Sequence, residues 1–437
     1  MIRIGFVGLG QRGRGMLNVF LAFPYVDIVA VCDVYEDRVQ EISKTILEKR
    51  KHEPRKYNDF NQMLLDKELD AIYVASSWEE HINQAIQCME HHIPVAMEVG
   101  GAYSIKDCWR LVNTYETTKT PIMMMENCCY DKFETLLFNL ANQGKFGEII
   151  HCHGAYSHDL RKEISEGNII RHYRLRNYIS RNCENYPTHE LGPIAKLLNI
   201  NSGNRFVSMV SVSSKSRGLE KYIEDGKCKD ETLKGTKFAQ GDIVSTIITC
   251  ENGETITLTL DTTLPGYYSR QLQVKGTKGC ANQEANMILF DDLNREEIWH
   301  PYDSIKQYGN NAEQLKEYLP KYWKDITKEQ IELGHGGMDY FMVGTFIDSL
   351  INNVPMPIDV YDAAAWYAIT PLSEKSIKNN GKSYKIPDFT RGKYKIRKTI
   401  SPFNNNKVFW FGVRDSKRWI NASLRAIHLK EHFLLKK

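Results

Sequence analysis

The sequence predicts a doubly wound parallel α/β sheet followed by an α+β domain whose sheet is largely antiparallel. Three observations point to this. The first 125 residues alternate β-rich runs with polar, periodic helical segments, the grammar of a parallel sheet with crossover helices. From about residue 145 the strand-like runs follow one another directly. At 437 residues the chain is also too long for one ordinary core. The expected division is residues 1–125, residues 126–395, and a basic, aromatic tail over 396–437 of open role.

Five strands are expected in the first domain: "IRIGFVG", "DIVAVCD", "DAIYVAS", "PVAMEV" and "TPIMMME". Each is short, apolar and bounded by polar or glycine punctuation. "WEEHINQAIQCMEHH" and "SIKDCWRLVNTYETT" lie between them with helical periodicity. Met123 to Met125 read as buried strand rather than a metal-binding cluster. In the second domain, "GEIIHCHGAYSH", "FVSMVSVSSK", "DIVSTIITCENGETITLTLDTT" and "RQLQVKGTKG" read as antiparallel strands. Asn252-Gly253 marks a hairpin within the third of these. Helices return in "GGMDYFMVGTFIDSLINN" and "DVYDAAAWYAITPLSEKSIKNN", while "NYPTHELGP" reads as a loop stiffened by Pro187 and Pro193.

"VGLGQRGRG" places Gly8, Gly10 and Gly13 in a GxGxxG turn between a strand and a helix. Asp33 ends the next strand, 20 residues after Gly13. That spacing is the one a Rossmann-type dinucleotide site requires. Gly8 allows the tight turn, Gly10 a close approach of backbone to pyrophosphate, and Gly13 close helix–strand packing. The helix N-terminus supplies free N–H donors and partial positive charge. The competing reading is a glycine turn that serves no ligand. A carboxylate at Asp33 repels a 2′-phosphate, so NAD is favoured over NADP; Arg12, Arg14 and Arg38 are the cations that would blunt this.

The net charge of +3 gives no support to nucleic-acid or membrane-surface binding. No run of about 18 apolar residues is present to span a bilayer. No export signal is visible, so a cytoplasmic location is expected, and the ten scattered cysteines read as free thiols.

The first domain resembles the sugar oxidoreductases that include glucose–fructose oxidoreductase and inositol dehydrogenase. "MMMENCCYDKFETL", "GAYSHDLR", "NYPTHELGPIAKLLNIN", "YSRQLQVKGTKG" and "HGGMDYFMVGTFIDSL" narrow the resemblance to glycoside hydrolase family 109, over about residues 1–393. The resemblance implies an NAD-dependent α-N-acetylgalactosaminidase. On the cofactor side it points to Gln11 and Arg12 beside the three glycines, Asp33, Trp78, Glu79, Glu80, His81, Glu98, Val99, Asn127 and Tyr186. On the sugar side it points to Tyr156, Arg174, Tyr186, Pro187, Thr188, His189 and Tyr268. This chain departs from relatives at Glu190, where many carry glycine, and in a shorter stretch before "YPTH".

The resemblance also implies a route unlike the usual pair of carboxylates. The sugar is oxidised at C3 by NAD, its acidified C2 proton is removed, and the anomeric substituent is eliminated. Water then adds and the hydride returns, with no net use of cofactor. His189 suits the C3-hydroxyl proton, because an unperturbed imidazole titrates at about 6.5. Tyr186 is expected beside it. Tyr156 is the expected base at C2, its phenol lowered by Arg174. The bland alternatives are a solvated His-Glu pair in a loop and a tyrosine that merely packs.

No metal is expected: on a strand, His151 and His153 face away from Cys152, so the three cannot share one ion. Two other functions remain open. One is a sugar dehydrogenase that releases NADH, although Val99 stands where such enzymes carry an "EKP" lysine. The other is a catalytically silent sugar sensor. The expected partner is a small or glycan-terminal sugar, with a homo-oligomer possible through the second sheet.

Overall fold

The computed structural model describes residues 1–291 and 299–398. Of the tail expected from residue 396, residues 399–437 lie outside the described residues.

Six strands form the first sheet: β1 (Ile2–Val7), β2 (Val26–Cys32), β3 (Arg55–Tyr57), β4 (Ala71–Val74), β5 (Val95–Met97) and β6 (Ile122–Met124). Their order is β3-β2-β1-β4-β5-β6, and every pair is parallel. Five match the strands expected from sequence. β3 escaped because "RKY" has no apolar run. Both faces of β4, β5 and β6 are fully buried, as parallel sheets covered by helices require. The strand order reverses between β1 and β4, so the crevice lies where β1, β2 and β4 end.

The second sheet contains β7 (Ile149–Ser157), β8 (Phe206–Ser213), β9 (Ile243–Cys250), β10 (Thr255–Asp261), β11 (Gln273–Gly276), β12 (Gly279–Asn282), β13 (Met287–Phe290) and β14 (Tyr384–Lys385). Their order is β13-β12-β11-β7-β10-β9-β8-β14. All pairs are antiparallel except β7 with β10. About a hundred residues of helix and strand intervene between those two, a crossover long enough for parallel pairing. The β9–β10 hairpin is present. Gly253 takes φ +99° and donates its N–H to the Cys250 carbonyl, so the connection is longer than a two-residue turn. On β7, His151 and His153 bond Thr255 and Thr257 across to β10 at 2.8 and 2.9 Å, while Cys152 faces the core.

One expectation is corrected. "NYPTHELGP" is not a loop: Thr188–Leu197 is a helix with Pro187 as its N-cap and Pro193 inside. Proline is tolerated just before a first turn, where no N–H is needed. Burial of nine of the ten helical residues outweighs the hydrogen bond that Pro193 cannot make.

The helix Met338–Asn352 returns to the first sheet's layer. Asp339 there meets Arg12, and the Tyr340 ring stacks on Phe23 at 4.7 Å. Among the described residues no helix is long and apolar enough to cross a membrane. All ten cysteines are free.

Candidate active site

The glycine turn is built as its spacing requires. Gly8 has φ +83°, and a Cβ there would stand 2.4 Å from the Ser76 nitrogen. At Gly13 a Cβ would stand 2.0 Å from the Gly8 carbonyl oxygen, so helix and strand approach as closely as glycine allows. The helix Gln11–Leu21 starts at Gly10, which has no side chain to cap it. Its first-turn N–H groups are therefore available to an anion. Asp33 accepts hydrogen bonds from the Leu9 N–H at 2.6 Å and the Tyr35 N–H at 2.9 Å, which fixes its carboxylate beside the turn. An uncapped helix, a turn with no room for side chains and an oriented carboxylate fit a dinucleotide.

Of the three arginines nearby, two are engaged elsewhere. Arg14 pairs with Glu41 at 2.7 Å. Arg12 holds Glu98 at 2.9 Å and Asp339 at 2.9 and 3.0 Å. Arg38 stays close, 3.7 Å from Asp33. Glu98 also accepts from the Tyr73 hydroxyl at 2.8 Å, and its second oxygen lies 3.3 Å from the Val99 N–H. Asn127 donates to Asp339 at 2.9 Å. Burial would raise the Asp339 carboxyl, but Arg12 and His335 hold it well below its ordinary range.

Four residues expected on the cofactor side form the first turn of the helix Trp78–Glu90, or sit in it. Trp78 is buried, and its Nε1 has no hydrogen-bond partner. His81 is buried and bonds the Ser76 carbonyl at 3.1 Å; burial pushes its imidazole down to about 4. Glu80 is exposed, as is Gln11 at the start of the first helix. Glu79 is taken by the second domain, as follows.

Residues 161–181 form a strap. On one bank of the crevice, after β2, Arg171 bonds Asp37 at 2.9 and 2.6 Å and lies over the Tyr35 ring at 4.2 Å. Arg38 donates to the Ile170 carbonyl at 3.0 Å. On the other bank, after β4, Arg176 bonds Glu79 at 2.6 and 2.8 Å and Asn177 joins it at 3.1 Å. Because β1 lies between β2 and β4, the strap spans the mouth above the glycine turn.

The sugar-side residues converge. Tyr186 and His189 ring centroids are 4.7 Å apart, Tyr156 and Tyr186 4.8 Å, and Tyr156 and His189 5.4 Å. Tyr156 sits near the end of β7, the other two around the N-terminus of Thr188–Leu197, with Pro187 as its cap and Thr188 fully buried. Arg174 is buried, 4.9 Å over the Tyr186 ring and 5.1 Å over Trp78, with an unpartnered Nη1. Tyr268 stands at the rim, half exposed, 5.1 Å from the His158 ring, and its hydroxyl accepts from Arg270 at 3.1 Å. The structure thus brings Tyr156, Arg174, Tyr186, His189 and Tyr268 together.

Sequence reasoning missed Glu126. It is fully buried, and its two oxygens lie 2.8 and 2.9 Å from His189 Nδ1, one of them also accepting from the Cys128 N–H at 2.9 Å. Burial would raise this carboxyl; His189, Thr188 and the Cys128 N–H bring it below its ordinary value. An ionised carboxylate only accepts, so a neutral His189 carries its proton on Nδ1 and presents Nε2 as an acceptor. The signal was present: a lone glutamate closing the expected strand "TPIMMME", just before "NCCYD". Glu126, Cys128 and His189 gather ligand-type atoms within 4.8 Å. The hydrogen bonds above account for that closeness, and burial pushes the Cys128 thiol well up. His158 was missed too; its Nδ1 lies 3.1 Å from the Tyr156 hydroxyl.

A second correction concerns Tyr156. Its phenol is raised, not lowered: burial outweighs the opposing charge of Arg174.

Comparison with known proteins decides the family. Residues 130–396 match the family described as "Glycosyl hydrolase 109, C-terminal domain". The chain belongs to glycoside hydrolase family 109. Residues 2–126 match "Oxidoreductase family, NAD-binding Rossmann fold". An α-N-acetylgalactosaminidase of Tannerella forsythia is 36% identical over 417 residues, covering 90% of this chain and 87% of that one. Another, of Shewanella oneidensis, is 33% identical over 409 residues, covering 92% and 87%. Among solved structures, an Agrobacterium radiobacter oxidoreductase in complex with NAD+, L-tartaric acid and magnesium matches with TM-score 0.63 at 14% identity, covering 88% of this chain and 98% of its own. Lactobacillus casei myo-inositol dehydrogenase in complex with NAD(H) and myo-inositol matches at 0.59 and 16%, covering 89% and 99%. These two share the fold. As a family 109 member the chain is a glycoside hydrolase with an NAD-binding domain.

Proposed function

We propose that this family 109 hydrolase removes terminal α-linked N-acetylgalactosamine, with NAD over the Gly8–Gly13 turn and the sugar against Tyr156, Tyr186 and His189. The observation that carries the reading is the convergence of those three rings, with His189 oriented by the buried carboxylate of Glu126. The Tannerella and Shewanella relatives supply the sugar and the linkage.

The turn, the free N–H groups of the first helix and Asp33 would hold the dinucleotide, and Asp33 favours NAD over NADP. Bound there, NAD would supply a hydride acceptor for the sugar and return the hydride at the end of the cycle. His189, fixed as the Nδ1–H tautomer, takes the sugar C3-hydroxyl proton on Nε2 and gives it back. Tyr186, packed on the imidazole, limits its orientation. Tyr156 is the group for the C2 proton. Its raised phenol calls for the charge of Arg174, and a hydrogen bond to His158, at the moment of transfer. Arg174 Nη1 and Trp78 Nε1, both buried without partners, supply donors to a polar ligand.

The test removes the nucleotide, verifies its loss, and assays an aryl α-N-acetylgalactosaminide before and after adding NAD+. Activity returns with NAD+, absorbance at 340 nm does not grow, and product formed in D₂O carries deuterium at C2. Full activity in stripped enzyme, or net NADH growth, defeats the reading.

A further inference from the structure

Two buried glutamates bracket the working segment. Glu184 precedes Tyr186 by two residues and Glu190 follows His189 directly. Their exposures are 0% and 2%. The two carboxyls lie against each other, and none of their four oxygens has a hydrogen-bond donor among the described residues. A bond between two carboxyls needs a proton on one of them, because two carboxylates offer acceptors only.

No cation among the described residues relieves the pair. Of the titratable groups on the packed elements, His189 is held by Glu126, Tyr156 by His158, Tyr178 by Thr262 and Asn185. Lys196, lower on the same helix, is paired with Asp362. On the helix Ile369–Lys378, Glu374 is paired with Arg181, and Ser373 accepts from the Glu184 N–H at 2.8 Å. The thiols of Cys129 and Cys183 are pushed up by burial. Burial raises Glu184; burial, then the charge of its neighbour, raises Glu190. The backbone N–H groups of Tyr186 and Tyr156 oppose that rise at Glu184 and Glu190 respectively. Glu190 also seats the helix on β7: a Cβ at Gly154 would stand 3.2 Å from the Glu190 Cβ, two residues before Tyr156.

We propose that Glu184 and Glu190 share one proton, and that this bond is a clasp holding Tyr186 and His189 in register with Tyr156. Both are positioning residues, and the inference rests on the reading of those three rings as the working groups. Losing the proton leaves two carboxylates in contact inside an apolar interior, where repulsion is strong. The sign follows. Carboxyls raised in the folded state hold the clasp at low and neutral pH, and it opens as pH rises through the pair's joint titration.

The experiment compares kcat/KM of the NAD-loaded wild type, E190Q and E190L from about pH 6 to about pH 10. The amide introduced by E190Q offers Glu184 a donor that cannot be titrated away. E190Q therefore moves the alkaline limb up by about one pH unit or more, while E190L, which leaves the buried Glu184 carboxyl with no partner, runs at least about tenfold slower than E190Q at neutral pH. Superimposable wild-type and E190Q limbs, or equal neutral rates for E190Q and E190L, overturn the proposal. An infrared difference between wild type and E190Q needs no substrate. It shows a protonated-carboxyl stretch at neutral pH that disappears on raising pH, and no such band also overturns the proposal. A wild type that cleaves no glycoside refutes the proposed function, and the infrared result then decides the pair alone. Should E190L fail to fold, the E190Q profile and the infrared difference decide it.

Discussion

Replacing Glu126 with glutamine tests how His189 is prepared for proton transfer. In the wild type one oxygen serves both the Cys128 N–H and His189 Nδ1, and the second oxygen faces Nδ1 again. Glutamine has one acceptor oxygen. The Cys128 N–H claims it, which turns the NH₂ toward Nδ1–H, donor against donor. The imidazole must then tilt or move its proton to Nε2, where it can no longer accept one. A hydrogen bond to a charged group contributes about 1.5–3 kcal/mol, and each 1.4 kcal/mol is about tenfold. Loss of the charge alone costs about 10- to 150-fold, and the wrong tautomer adds to that. The expected fall in kcat is about 10²- to 10³-fold. The assay is steady-state cleavage of an aryl α-N-acetylgalactosaminide with saturating NAD+, beside nucleotide titration and a thermal melt. NAD affinity stays within about twofold, since β6, which Glu126 follows, stands three strands from β1 and its glycine turn. A kcat within about threefold of wild type would refute the reasoning. A parallel loss of NAD binding would make Glu126 a scaffold residue only.

NAD should bind more tightly than NADP, and Asp33→Asn should narrow the gap, because Arg12 and Arg14 are already paired and only Arg38 remains beside the carboxylate; titration of both nucleotides checks it. Gly13→Ala should lower the melting temperature and weaken NAD binding, because its Cβ would meet the Gly8 carbonyl at 2.0 Å, an overpacking that costs about 1–3 kcal/mol. On the acid side, Asp339 and Glu126 are both held below their ordinary values. Their contribution is present above the unfolded carboxyl range and is lost as pH falls through the lowered folded values. Melts taken below about pH 4 should therefore drop steeply in wild type and less so in Asp339→Asn.

The parts legible in the sequence were those written in short spacings. Gly8, Gly10, Gly13 and Asp33 announce the turn and its acid because strand, turn and strand follow within one βαβ unit. Tyr156, Tyr186 and His189 were found through motifs, and the structure brings their rings together. What stayed hidden depended on distance along the chain. His189 and Glu126 are 63 residues apart, and nothing local pairs them. The parallel partnership of β7 with β10 is hard to read in either strand, since β10 alternates as antiparallel strands do and β7 does so as far as Gly154. "NYPTHELGP" read as a loop because two prolines and a glycine outvote helix propensity locally; burial against β7 and Trp366 decides otherwise. The phenol of Tyr156 went the wrong way because sequence counts a nearby arginine but cannot count the water removed.

The strap over residues 161–181 bears on how such a protein could be recombined. A βαβ nucleotide fold is often regarded as a cassette, exchangeable at its linker. Here Asp37 and Glu79 of the first unit belong as much to Arg171 and Arg176 of the second. A transplanted cassette that lacked either acid would leave a guanidinium searching for a counter-charge at the rim of the crevice. A cassette from another member would have to bring both acids at the same separation, one past the second strand and one past the fourth. A cut at the linker therefore parts the acids of the cradle from the arginines of its cover.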